Sequence, residues 1–111
     1  MKLLDGKTAV ITGSSRGLGF AIARALAEQG ASVVLAARTA ETLQLAVNEL
    51  KKEGYKAEGI PCDTSKFEDM ERLAQKAVST FGHLDIWINN AGISAPYGLT
   101  ISVLPERVKK V

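Results

Sequence analysis

The chain has one cysteine and one histidine among its 111 residues. A single thiol, Cys62, cannot close an internal disulfide, which argues against a disulfide-stapled secreted scaffold and for a reducing, cytoplasmic compartment. A single imidazole, His83, has too few neighbouring ligands in the sequence to build a metal site. No apolar run approaches the roughly 18 residues that cross a bilayer. The start, MKLLDGKTAV, lacks the long apolar core and small-residue cleavage site of a secretory signal. An excess of one charge sign is missing as well. The net charge of +2, in a chain that is 23% charged, is too mild and too scattered for a nucleic-acid or anionic-membrane surface. Repeats, low-complexity tracts and linkers are absent. The hydrophobic content of 46% is that of an ordinary globular chain, and the length admits one domain, residues 1–111.

What is present is a rhythm of strand and helix. Residues 7–12 read as a strand that turns abruptly into Gly13, Ser14, Ser15, Arg16, Gly17, Leu18 and Gly19. A helix over 17–29 follows, with Ile22, Ala23, Leu26 and Ala27 on one face and Gly30 as its stop. Residues 32–37 form a continuous apolar run, as expected of a parallel strand buried on both faces. Thr39 is placed to cap a second helix whose stripe is Leu43, Ala46, Val47 and Leu50, closed by Gly54. Residues 56–61 make a weaker strand limited by Pro61. Ser65 with Glu68 reads as a capping box opening a third helix, with Phe67, Met70, Ala74, Ala77 and Phe81 on one face and Gly82 at its end. Leu84 to Ile88 is a fourth strand running into Asn89, Asn90, Ala91 and Gly92. The alternation predicts an α/β doubly wound parallel sheet with right-handed crossovers. Residues 93–105, with two prolines, read as a loop, and ERVKKV as the opening of a helix that is interrupted.

A strand, a glycine-rich turn and a helix in that order form a phosphate cradle. The glycines allow a tight turn and close approach, and the helix N-terminus offers unpaired N–H groups to an anion. At the end of the second strand stand Ala36, Ala37 and Arg38, where an NAD-binding chain of this pattern carries an acidic residue for the ribose 2′-hydroxyl. No carboxylate is there to repel a 2′-phosphate, and the Arg38 guanidinium suits one, with Arg16 approaching from the other side. The sequence therefore favours NADP(H) over NAD(H).

The GxxxGxG spacing of Gly13, Gly17 and Gly19, joined by NNAG at the end of the fourth strand, resembles the short-chain dehydrogenase/reductase family over about Leu4 to Gly98. The resemblance implies a three-layer Rossmann-type sheet with strand order 3-2-1-4 for the part present, truncated after the fourth strand: the N-terminal portion of a single NAD(P)-binding domain. It implies that Gly13, Ser15, Arg16, Gly17, Leu18 and Gly19 surround the pyrophosphate and adenosine side of the dinucleotide. Asp63 would hydrogen-bond the adenine amino group, with Thr64 beside it. Asn90, Ala91 and Gly92 would line the adenosine ribose and the approach to the nicotinamide, and Asn89 would stabilise the sheet. It also implies alcohol or carbonyl chemistry and a homo-oligomer.

The catalytic half has no counterpart. The family's acid is a tyrosine followed four positions later by a lysine, but Gly59 stands four after Tyr55 and Ile101 four after Tyr97. Ser94 and Tyr97 belong to the substrate-side loop, so no residue is assigned as catalytic. Three readings stay open: the cofactor half of an NADP-dependent oxidoreductase, an inactive dinucleotide-binding module or sheet-completing partner, and a nonfunctional truncation product. Cys62, without an adjacent base, reads as an inert thiol, His83 as a cap on the third helix, and Trp87 as core or helix cover.

Overall fold

The computed structural model describes residues 2–90 and 100–103. Eight elements follow in order: β1 (Thr8–Thr12), α1 (Gly17–Glu28), β2 (Ser32–Ala37), α2 (Ala40–Lys52), β3 (Ala57–Pro61), α3 (Phe67–Phe81), β4 (Ile86–Asn89) and β5 (Thr100–Val103). They build one sheet in the order β3-β2-β1-β4-β5. β1 to β4 run parallel, with Val10 opposite both Val34 and Trp87.

The two-residue period of the strands explains why helices cover both faces. Ala9 and Ile11 of β1 and Val33 and Leu35 of β2 point to one side, where they pack with Ala23 and Ala27 of α1 and with Leu43, Ala46, Val47 and Leu50 of α2. Val10, Val34 and Ala36 point to the other side, onto Leu73 and Ala77 of α3. All five residues of β1 are buried, so this strand is the centre of the three layers. At the end of α1, Ala31 N–H donates to the Leu26 carbonyl and Gly30 N–H to that of Ala27. At the end of α2, Tyr55 and Gly54 repeat the pattern with Leu50 and Lys51.

Four expectations need correction. Residues 100–103 are a strand and not a loop: β5 pairs antiparallel with β4, Ile86 opposite Val103 and Asn89 opposite Thr100. β4 therefore has a neighbour on both sides, and the sheet is parallel with an antiparallel edge. The capping box at Ser65 does not form. Lys66 occupies the N-cap without a side-chain bond, and Ser65 turns back to Asp63 instead. Thr39 does stand at the N-cap of α2, but its side chain makes no cap bond. The buried face of α3 is also rotated. Leu73 and Ala77 are its buried residues, while Phe67, about 120° round the helix from Leu73, is 68% exposed.

Candidate functional site

The carboxyl ends of the parallel strands gather the predicted residues. After Thr12 the chain passes through Gly13 (φ 61°) and Gly17 (φ 62°), left-handed conformations that favour glycine, and enters α1. Ser14 locks this turn to the neighbouring strand. It is fully buried, its Oγ donates to the Ile11 carbonyl (2.7 Å) and accepts from Ala36 N–H (3.1 Å), and its own N–H donates to the Ala36 carbonyl. Gly19, in the first turn of α1, lies against the turn itself. A β-carbon there would stand 2.6 Å from Asn90 Nδ2 and 2.9 Å from the Gly13 carbonyl carbon, and nearer still to the Gly13 oxygen.

The end of β4 braces the turn from the other side. Thr12 Oγ1 donates to Asn89 Oδ1 (3.0 Å) and accepts from Asn90 N–H (2.9 Å), and Asn90 Nδ2 donates to the Gly13 carbonyl (3.0 Å). Asn89 is thus the sheet-bridging residue the sequence suggested. Asn90 carries a bracing bond that sequence reasoning missed. The start of α1 is kept clear: its N-cap, Arg16, makes no side-chain cap bond and its first turn holds no acid, whereas α2 begins with Glu41 and α3 with Glu68 and Asp69. An uncapped helix start without a carboxylate favours an anion.

A cleft of about 550 Å³ opens beside this turn. Gly13, Ser15, Arg16, Arg38, Asp63 and Thr64 line it, six of the residues expected at a cofactor. Gly17 lines an adjoining groove with Phe20 and Leu45, and Leu18 is 60% exposed. Ala91 and Gly92 lie outside the described residues. Thr39 and Thr42, from the start of α2, also line the cleft. Thr39 directly follows Arg38 but reads in the sequence as a helix cap alone, and Thr42, one turn further on, carries no sequence signal of its own. A larger cleft, about 820 Å³ and lined in part by Lys2, Tyr55 and His83, opens at the opposite strand ends. The glycine turn and α1's open start point to the smaller one, since ligands of open α/β sheets bind at the carboxyl ends.

Asp63 is the anionic wall of the cleft. Its Oδ1 accepts from Ser65 N–H (3.0 Å) and Ser65 Oγ (2.6 Å), and Oδ2 lies 3.8 Å from the Arg38 guanidinium. The Ser65 hydroxyl, then the Ser65 amide, with Arg38 and Lys66 adding charge, hold its carboxyl below the ordinary carboxylate range. The loop carrying it is stapled to α3. Asp63 N–H donates to Asp69 Oδ2 (2.7 Å), and Arg72 donates to the Pro61 carbonyl (3.1 Å) while standing 3.7 Å from Asp69.

Cys62 also lines the cleft but is 5% exposed. Burial, reinforced by Asp69 and Asp63 and opposed by Arg72, pushes its thiol up. The thiol of the folded chain is therefore expected to react with iodoacetamide at neutral pH at least about tenfold more slowly than that of the urea-unfolded chain. Equal rates would contradict this account.

His83 does not serve as the helix cap the sequence suggested. Its Nδ1 stands 2.5 Å from Oδ2 of buried Asp85, the same oxygen that accepts Thr8 N–H (2.9 Å), at the end of β1 far from the cleft. Among the described residues, no group of three or more His, Cys, Asp or Glu side chains is placed to hold a metal ion, and no helix is long and apolar enough to cross a membrane.

A family model described as short chain dehydrogenase matches residues 7–111. The uncharacterized oxidoreductase YxnA of Bacillus subtilis is 43% identical over 111 residues, all of this chain and 31% of that protein. Dehydrogenase/reductase SDR family member 4 of Bos taurus is 46% identical over 105 residues, 95% of this chain and 37% of that protein. Among solved structures, L-sorbose reductase from Gluconobacter frateurii, complexed with NADPH and L-sorbose, superposes with a TM-score of 0.79 at 39% identity, over 86% of this chain and 37% of that one. The chain spans about a third of the length of these relatives. The family match begins at the first strand and takes in both the glycine turn and the asparagine brace, and the chain belongs to the short-chain dehydrogenase family.

Proposed function

We propose that this chain is the dinucleotide-binding portion, residues 1–111, of an NADP(H)-dependent oxidoreductase acting on an alcohol or carbonyl. The observation that carries the cofactor choice is Arg38, which follows β2 at the cleft with no carboxylate at that strand end. The residues fit the group. Gly13, Ser15, Arg16, Gly17, Leu18 and Gly19 hold the pyrophosphate at the open start of α1, where Gly19 leaves the backbone uncovered. Arg38, with Arg16, takes the 2′-phosphate, and Asp63 and Thr64 meet the adenine. Asn90 fixes the Gly13 carbonyl and, with Ala91 and Gly92, leads toward the nicotinamide. A bound dinucleotide supplies or accepts the hydride; these residues position it. The NADPH complex of the sorbose reductase supports the same choice.

The proton at the developing alkoxide has no donor of the family's type in these 111 residues, so the isolated chain binds cofactor without turning over. Ketone-dependent oxidation of NADPH by the purified chain would count against this. The cofactor assignment is tested by Arg38→Asp. The Arg38 side chain is 80% exposed, so the loss of a charged contact is discounted for solvent to about tenfold in NADPH affinity relative to NADH. Fluorescence titration with both cofactors reads it, and an unchanged ratio overturns the role of Arg38.

A further inference from the structure

We propose that Asp63 is a built-in competitor for the Arg38 guanidinium, so that a 2′-phosphate binds by exchanging one anionic partner of Arg38 for another, and Asp63 thereby limits the preference for the phosphorylated dinucleotide. The inference rests on the reading of Arg38 as the 2′-phosphate ligand. β2 and β3 are parallel neighbours with Ala37 opposite Pro61. Arg38 leaves the first strand one residue later and Asp63 the second two residues later, so the sheet itself brings the two charges to one wall of the cleft.

The two partners are unequally held. Asp63 is 26% exposed, its Oδ1 is engaged twice by Ser65, and its amide is tied to Asp69. Arg38 is 80% exposed, and its pairing at 3.8 Å is longer than a hydrogen bond. The carboxylate is therefore the fixed member and the guanidinium the one free to move. A phosphate carries more charge than a carboxylate and can accept a bidentate guanidinium, so it wins the exchange. Once Arg38 has turned to the phosphate, Asp63 faces a second anion across the same cleft with Ser65 and Lys66 as its remaining partners. Both effects oppose NADP(H), and neither acts on NAD(H), which lacks the phosphate.

The expected result differs from that of a purely adenine-binding Asp63. Asp63→Asn should raise NADPH affinity relative to that for NADH by about two- to fivefold, the range of an exposed ion pair, while any loss at the shared adenine falls equally on both cofactors. The gain in this ratio should shrink when Arg38→Ala is already present, to the part that repulsion between Asp63 and the phosphate contributes alone. Fluorescence titrations of NADPH and NADH against the chain and its Asp63→Asn, Arg38→Ala and doubly substituted forms read all of this, with thermal melts confirming that each is folded. Asp63→Ser, which also removes the charge but keeps a side-chain oxygen, stands in if the asparagine form does not fold. No change in the ratio of the two affinities, or a gain in it that is undiminished without Arg38, overturns the competition while leaving the NADP(H) reading intact. Failure of Arg38→Ala itself to alter the ratio overturns the NADP(H) reading, and the competition with it.

Discussion

Gly19→Ala should abolish measurable NADPH binding and destabilise the fold by about 2–3 kcal/mol, the upper part of the range for forcing an extra methyl into a packed site. For a chain of this size that is a fall in melting temperature on the order of 10 °C or more. The added β-carbon meets the Gly13 carbonyl and, at 2.6 Å, the Asn90 amide nitrogen. One of these is backbone fixed by the β1–α1 turn. The other is already committed to a hydrogen bond with that same carbonyl, so neither can give way cheaply. Gly17→Ala is the informative contrast. Its φ of 62° strains any other residue, by about 1–2 kcal/mol, but a β-carbon there meets nothing within 4 Å. If the packing of the turn matters, Gly19→Ala loses stability through a clash with the protein itself, while Gly17→Ala loses only what its backbone strain costs. Thermal melts with NADPH titration decide it, and a Gly19→Ala chain that melts and binds as the parent does would refute the packing described for the turn.

Much of this cradle was legible in the sequence because glycine, β-branched runs and polar strand ends are local signals. The strands β1 to β4, the stripe of α2 and the position of Arg38 follow from spacing and residue type. What escaped was of two kinds. One is rotational: a spacing of three and four admits more than one stripe, and α3 keeps Ala77, with Ala74 and Phe81 packed beside it, but adds buried Leu73 and turns Phe67 outward, because its angle is set by the sheet beneath it. The other is long-range. The bond from Asn90 to Gly13 spans 77 positions and exists only because β1 and β4 are neighbours. The pairing of Arg38 with Asp63 likewise depends on β2 lying beside β3. β5 is an intermediate case. Its alternating TISV pattern was a strand signal, outweighed by the prolines around it. Capping was over-read for the opposite reason. Ser65 had a competing partner two residues away, and Asp63 took both its donors.

Asp85→Ala should cost about 3 kcal/mol, because it strips a buried carboxylate from the Thr8 amide, a donor that cannot reach water. Asp85 is 5% exposed and Thr8 1%, and two bonds join them: Thr8 N–H to Asp85 Oδ2 and Asp85 N–H to the Thr8 carbonyl, both 2.9 Å. The backbone bond survives truncation; the side-chain bond does not, and the first amide of the central strand is left buried. His83, whose Nδ1 contacts the same oxygen, loses its partner too, but its side chain is 33% exposed and can turn to solvent. His83→Ala should therefore cost about 1 kcal/mol or less, and the double variant little more than Asp85→Ala alone, since the histidine acts through the carboxylate. Equal costs for the two single variants would refute the carboxylate's place at the centre of this contact. The same substitution also separates stability from binding. Thr8 begins β1 and Gly13 follows its other end, so the strand's five buried residues lie between Asp85 and the cleft. At temperatures where the Asp85→Ala chain is still folded, its NADPH affinity should stay within about twofold of the parent. A larger loss would mean that the alignment of β1 against β4, set at the Thr8 end, is transmitted along the strands to the asparagine brace that holds the glycine turn.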